Sequence, residues 1–321
     1  MVEFAIHTRG VGKTFGNHTA VSDFDLDVPR GTIYGLLGPN GSGKTTMIRM
    51  IMGILLPDQG RIEIFGVPSD FRSRRRVGYL PEERGVYEKM RVLDQLVFLG
   101  EIRGVDRSVA RARASEWLER LSLAEWAGRK VEDLSKGMQQ KVQFIGTVLH
   151  DPDLLILDEP FSGLDPINQE VLEAIVREEQ ARGKTILFST HLMEQAERLC
   201  ERVCLISRSR KVLDGELKIL RREERSGVVA VEFDGEGSWL DVPWVESKAT
   251  VGEGIHVTLA EGTDPKRLLG AALEGGVQLR RFELVEPSLR EIFVRHAGAG
   301  PESSGPESTG LKSSGSLEAA S

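Results

Sequence analysis

Gly38-Pro39-Asn40-Gly41-Ser42-Gly43-Lys44-Thr45 is the stretch on which the reading of the whole chain turns. It fills the pattern G-x-x-x-x-G-K-[ST], and each fixed position has a mechanical reason. Glycines let the backbone turn tightly, so that successive N–H groups converge on phosphate oxygens. Lys44 is placed to reach the terminal phosphates, and the Thr45 hydroxyl is suited to ligating Mg²⁺. The flanks agree. Ile33–Leu37 is a short apolar run fit for a buried strand, and Thr46–Met52 continues with helical apolar spacing. A strand, a loop and a helix whose positive end faces an anion predict capture of a nucleoside triphosphate.

Downstream, Leu154-Leu155-Ile156-Leu157 leads into Asp158-Glu159-Pro160, an apolar strand ending in two carboxylates. Successive strand side chains point to opposite faces, so the two acids are expected to do different jobs. Asp158 is suited to holding Mg²⁺ directly or through water. Glu159 would face the terminal phosphate and orient or deprotonate the attacking water.

Three further segments narrow the reading. Leu134-Ser135-Lys136-Gly137-Met138-Gln139-Gln140-Lys141 precedes a helical pattern, with Ser135 placed as its N-cap. Ser162-Gly163-Leu164-Asp165-Pro166 forms a turn after the carboxylate strand. Thr185–Thr190 is another apolar strand pattern, ending at His191. Taken in this order, the motifs resemble the ATP-binding subunits of ABC transporters, over about residues 3–222.

That resemblance implies an α/β fold: a P-loop NTPase core of the ABC type, with an antiparallel β subdomain and a helical subdomain. It implies that Phe15 stacks on adenine, an interaction worth about 1–3 kcal/mol, with Val21 near the same ring. The phosphate loop, from Gly38 to Thr45, and Thr46 would bind the nucleotide. Lys44, Glu159 and His191 would be the catalytic set, with Glu159 as general base and His191 at the terminal phosphate and the attacking water. Ser135 and Gly137 match the segment that completes the ATP site of the opposite subunit, and Asp165 the acid that couples the two sites. ATP and Mg²⁺ follow as ligands. Thr45, Asp158 and Glu82 are the metal-side candidates.

Two positions depart from the family pattern. Lys136 and Met138 replace residues of the usual Leu-Ser-Gly-Gly-Gln, while Ser135 and Gly137 are kept. In Gly78-Tyr79-Leu80-Pro81-Glu82, the last residue stands where the family has glutamine. Glu82 adds negative charge beside phosphates, either as an extra Mg²⁺ ligand or as a brake on turnover.

The 321-residue length accommodates one large core and a second small domain. Three segments are expected: an ATP-binding domain over 1–222, a small α/β domain over 223–297, and a disordered tail over 298–321, where Gly, Ser, Pro and Glu dominate. The second segment, ending in Pro287-Ser288-Leu289-Arg290-Glu291-Ile292-Phe293, resembles a small domain appended to some bacterial exporter ATPases. A net charge of −7 argues against a nucleic-acid partner. No signal peptide or membrane span is read, and two cysteines suit a reducing compartment.

The reading implied is a cytoplasmic ATPase subunit of an ABC exporter, peripheral on the inner face of the cell membrane. Its partners would be a second copy of itself or a paralogous ATPase subunit, and a separately encoded membrane permease. Two alternatives stand beside it: a soluble ABC ATPase acting on a non-membrane partner, and an importer subunit with a regulatory C-terminal domain.

Overall fold

The computed structural model describes residues 4–83, 85–225 and 227–297. Its strands are β1 (Phe4–Phe15), β2 (His18–Pro29), β3 (Ile33–Leu37), β4 (Gln59–Ile64), β5 (Val67–Pro68), β6 (Val77–Leu80), β7 (Leu154–Asp158), β8 (Thr185–Thr190), β9 (Arg202–Ser207), β10 (Arg210–Glu216), β11 (Val228–Asp234), β12 (Val245–Val251), β13 (Gly254–Leu259) and β14 (Gln278–Leu284). The helices are α1 (Lys44–Ile51), α2 (Phe71–Arg74), α3 (Val92–Ile102), α4 (Arg107–Arg120), α5 (Lys136–Val148), α6 (Pro166–Ala181), α7 (Met193–Leu199), α8 (Leu217–Glu223), α9 (Lys266–Glu274) and α10 (Leu289–Ala297).

The centre is a six-stranded sheet in the order β10-β9-β3-β8-β7-β6, parallel except for the edge strand β10. All five residues of β3 and of β7 are buried, which is why both read as unbroken apolar runs rather than as alternation. The two faces of this sheet bury different things. Tyr34, Leu36, Leu154, Ile156 and Leu187 point toward α1 and the antiparallel sheet β2-β1-β4-β5. Ile33, Leu37, Leu155, Leu157, Ile186 and Phe188 point toward the helical side, built on α3, α4 and α5. Each such fully buried side chain contributes about 1.5–3 kcal/mol.

The small C-terminal sheet has the order β12-β13-β11-β14 and is antiparallel throughout. Val229, Val231, Val257 and Leu259 alternate onto the face covered by Leu268 and Ala272 of α9. Trp239 belongs to this cluster, edge-on to Phe233 at 5.1 Å, and Trp244 is half-buried beside it. The last helix behaves differently. Leu289 and Ile292 of α10 are fully buried, but in the cluster on the helical face of the central sheet, together with Leu199, Leu217 and Leu220.

Several element expectations needed correction. The alternation of Val2, Phe4 and Ile6 predicts a first strand over 3–8; β1 continues to Phe15, beyond the point where register shifts and the left-handed Gly10 (φ 59°) break that alternation. The sequence pattern predicts a second strand over 22–28; β2 begins earlier, at His18. Residues 211–217 resemble the end of the family's ATPase core; all but Leu217 fall in β10, which pairs with β9. β12 went unread because all but one of its residues are exposed, as an edge strand permits. Cys200 and Cys204 are both buried free thiols. The expected tail over 298–321 lies outside the described residues.

Candidate functional site

The phosphate loop joins the buried end of β3 to the N-terminus of α1, as its sequence requires. Gly38 (φ 154°), Gly41 (φ 77°) and Gly43 (φ 112°) all adopt conformations that L side chains rarely enter. At two of them space is also closed. A Cβ on Gly38 would stand 2.2 Å from the Ile206 carbonyl oxygen, and one on Gly43 would stand 2.4 Å from that of Ala20. Lys44 folds back over the loop, its Nζ donating to the carbonyls of Gly38 (2.7 Å) and Pro39 (3.1 Å). Burial lowers its pKa, against the opposing pull of Glu159, Asp158 and Glu82.

A cleft of about 470 Å³ opens over this loop. Phe15, His18 and Ala20 wall one end, Asn40, Gly41, Gly43, Lys44, Thr45 and Thr46 form the floor, and Glu82 with Glu159 stand at the far side. Phe15 is 48% exposed, with Lys13 Nζ 5.7 Å from its ring centroid. Val21 is buried under the loop, its Cγ2 packed toward Gly43, and does not line the cleft. Gly38, Pro39 and Ser42 also lie outside the lining, Gly38 and Ser42 buried beneath it and Pro39 exposed.

Two carboxylates meet the cleft differently, and not by strand alternation. Asp158 is the last residue of β7 and is fully buried. Its Oδ1 accepts from the Ser189 hydroxyl, Thr45 also bonds to it, and its Oδ2 has no hydrogen-bond partner. Burial raises its pKa. Glu159 lies beyond the strand, at φ 48°, and that left-handed turn is what swings its side chain into the cleft. Its N–H donates to the Ser189 carbonyl and hydroxyl, each at 3.2 Å. Its Oε1 lies 2.9 Å from His191 Nδ1. His191 follows β8 directly, and the next turn is pinned by Thr190 Oγ1 donating to Gln195 Oε1 at 3.0 Å.

Lys44, Thr45, Asp158, Glu159 and His191 are thus brought together, with Glu82 lining the same cleft. Ser135, Gly137 and Asp165 are not. Ser135 is exposed at the N-terminus of α5, its Oγ accepting from Met138 N at 3.3 Å. Gly137 faces the Gly163–Leu164 turn. Asp165 caps α6, accepting from Asn168 N at 3.0 Å, which lowers its pKa. None of the three lines the cleft.

Sequence reasoning missed His18, Ala20 and Ser189. His18 was legible in part: Gly16-Asn17 makes a two-residue hairpin turn that sets His18 directly opposite Phe15. Ser189 carried no signal, because its partner Asp158 is 31 residues away.

Two family models match: ABC transporter over residues 21–162, and the ATP-binding protein DrrA1-3-like C-terminal domain over 215–297. The ABC transporter ATP-binding protein YhaQ of Bacillus subtilis (strain 168) is 44% identical over 294 residues, covering 90% of this chain and 97% of its own. The chain belongs to the ABC transporter ATP-binding proteins. As such it is a subunit that binds ATP and hydrolyses it. Nod factor export ATP-binding protein I of Rhizobium sp. (strain N33) is 35% identical over 305 residues, covering 93% of this ABC subunit and 98% of that protein. A solved structure described as an ATP binding subunit of an ABC transporter superposes with a TM-score of 0.64 at 31% identity, covering 68% of this ABC subunit and 92% of that chain. Among the described residues, no helix of this ABC subunit is long and apolar enough to cross a membrane.

Proposed function

We propose that this chain is the ATPase motor of an exporter, working as a head-to-tail pair on a separately encoded membrane permease. One observation carries the reading. The cleft is lined by Lys44 and Glu159, with His191 bonded to Glu159 at its edge, whereas the exposed Ser135 and the half-buried Gly137 stand outside it. A second copy, or a paralogous subunit, placing its Ser135 and Gly137 over this cleft would complete each site. Asp165, at the head of α6, would lie between the two sites and couple them. Export is supported by the likeness to a Nod factor export protein.

In the completed site the loop amides and Lys44 cradle the phosphates of ATP, and Phe15, with His18 opposite it in the hairpin, holds the base end. Glu159 takes the proton of the attacking water, and His191, bonded to Glu159, steadies that carboxylate and the terminal phosphate. The donor set suits Mg²⁺, which keeps several waters and takes few protein ligands. The orphaned Asp158 Oδ2, the Thr45 hydroxyl and Glu82 would hold it, and it would neutralise charge on the phosphates. Among the described residues, no group of three or more His, Cys, Asp and Glu is arranged to hold a metal ion.

The permease would dock against the segment after Glu82, on the inner face of the membrane. Tyr87 there is 51% exposed and edge-on to Phe98 at 5.7 Å, Met90 is half-buried, and Val86 packs inward on the core. The pairing is tested by sizing the Glu159→Gln protein with and without Mg·ATP. A shift from monomer to dimer with nucleotide is the expected result, and a monomer under both conditions overturns the paired site.

A further inference from the structure

His191 stands at the end of a short lever. Leu192 is the only residue between it and α7, a helix of 7 residues. The inner side of α7 is fixed, with Ala196 and Leu199 buried in the core and Gln195 holding Thr190. Its outer side faces the C-terminal segment across a cleft of about 590 Å³, lined by His191, Leu192 and Met193 on one wall and Ser288, Arg290 and Phe293 on the other.

One polar tie closes that gap. Glu197 Oε1 accepts both from Arg221 Nη2 of α8 (2.8 Å) and from the backbone N–H of Leu289, the first residue of α10 (2.5 Å). The far end of the tie is itself held. Leu289 and Ile292 are fully buried, and Ser288 and Glu291 cap the helix reciprocally, Ser288 N donating to Glu291 Oε2 at 2.7 Å and Glu291 N to Ser288 Oγ at 3.2 Å. A carboxylate gripped by a guanidinium and a helix-end N–H, on a helix of under two turns, fixes where that helix begins.

We infer that Glu197 is a positioning residue for His191: it holds α7 against the C-terminal helix α10 and so keeps the imidazole in register with Glu159. The C-terminal segment is thereby part of the hydrolytic apparatus, although it contributes no group to the cleft. The inference rests on the placement of His191 at the terminal phosphate.

The test is a double-mutant cycle on the full chain with Mg·ATP. Glu197→Ala lowers kcat about tenfold while KM for ATP stays within about twofold, and Glu197→Gln, which keeps an acceptor oxygen, recovers most of the loss. In the His191→Ala background, Glu197→Ala causes no further loss. Hydrogen exchange over residues 190–196 rises in Glu197→Ala and not in Glu197→Gln. Wild-type turnover in His191→Ala overturns the placement of His191, and this inference with it. An equal Glu197→Ala loss in both backgrounds, or unchanged exchange over 190–196, overturns the positioning role alone.

Discussion

His191 Nδ1 lies 2.9 Å from Glu159 Oε1, although the two residues come from the ends of different strands, β8 and β7. The contact exists because Glu159 leaves its strand through a left-handed residue conformation (φ 48°). Strain of this kind persists only where the surroundings hold it, here through the bonds of Glu159 N–H to Ser189.

Glu159→Gln is expected to retain ATP binding and lose about 10²–10⁴ in turnover, because the water loses its base while Lys44 and Asp158 remain. Steady-state hydrolysis and nucleotide binding, measured on the same sample, check this. Turnover within about threefold of wild type would remove Glu159 from its role.

Ser135→Arg and Lys44→Ala would disable opposite halves of the proposed composite site. Each protein alone is expected to be inactive, while a mixture regains activity, since a mixed dimer keeps one intact site. Normal hydrolysis by the homogeneous Ser135→Arg protein would show that the cleft needs no partner.

Gly43→Ala forces a Cβ to 2.4 Å from the Ala20 carbonyl oxygen at φ 112°. Strain of about 1–3 kcal/mol must be relieved by moving the loop, so ATP affinity is expected to fall about tenfold or more. Calorimetric titration measures it, and wild-type affinity would show that the loop tolerates a side chain.

Asp158 carries the opposite tension. Burial raises its folded-state pKa above the ordinary value of 3.8, so this group favours the folded chain below that value and loses the contribution as pH rises through the folded pKa. Near neutrality the ionised carboxylate is a destabilising element of the ligand-free protein. Asp158→Asn is therefore expected to raise Tm at about pH 7, with the gain shrinking toward about pH 4, while hydrolysis is lost. Thermal melts across that pH range decide it; a lower Tm for the variant at neutral pH would contradict the sign.

Tyr87→Glu alters an exposed ring outside the cleft. Basal hydrolysis by the isolated subunit is expected to persist, while stable association with the permease is lost. Co-purification of the variant with its permease at wild-type yield would move the docking surface elsewhere.

Local chemistry was enough to locate the phosphate loop, the carboxylate strand and the N-cap residue Ser135, because each depends on neighbours within a few positions. Glycines at left-handed positions, an apolar run for a doubly covered strand and an oxygen before a helix are all demands of the chain on itself. The polar edge strand β12 and the bulged half of β1 escaped, since their pairing is dictated by partners distant in sequence. The tertiary structure alone decided how the pieces meet. It buried Val21 beneath the loop, set His18 against Phe15, and turned Glu159 toward His191. It also packed Leu289 and Ile292 into the ATPase core rather than into the small C-terminal sheet. These are contacts between segments tens of residues apart, selected by which buried faces and unpaired oxygens find one another once the sheets have closed, and no local pattern of residue types encodes them.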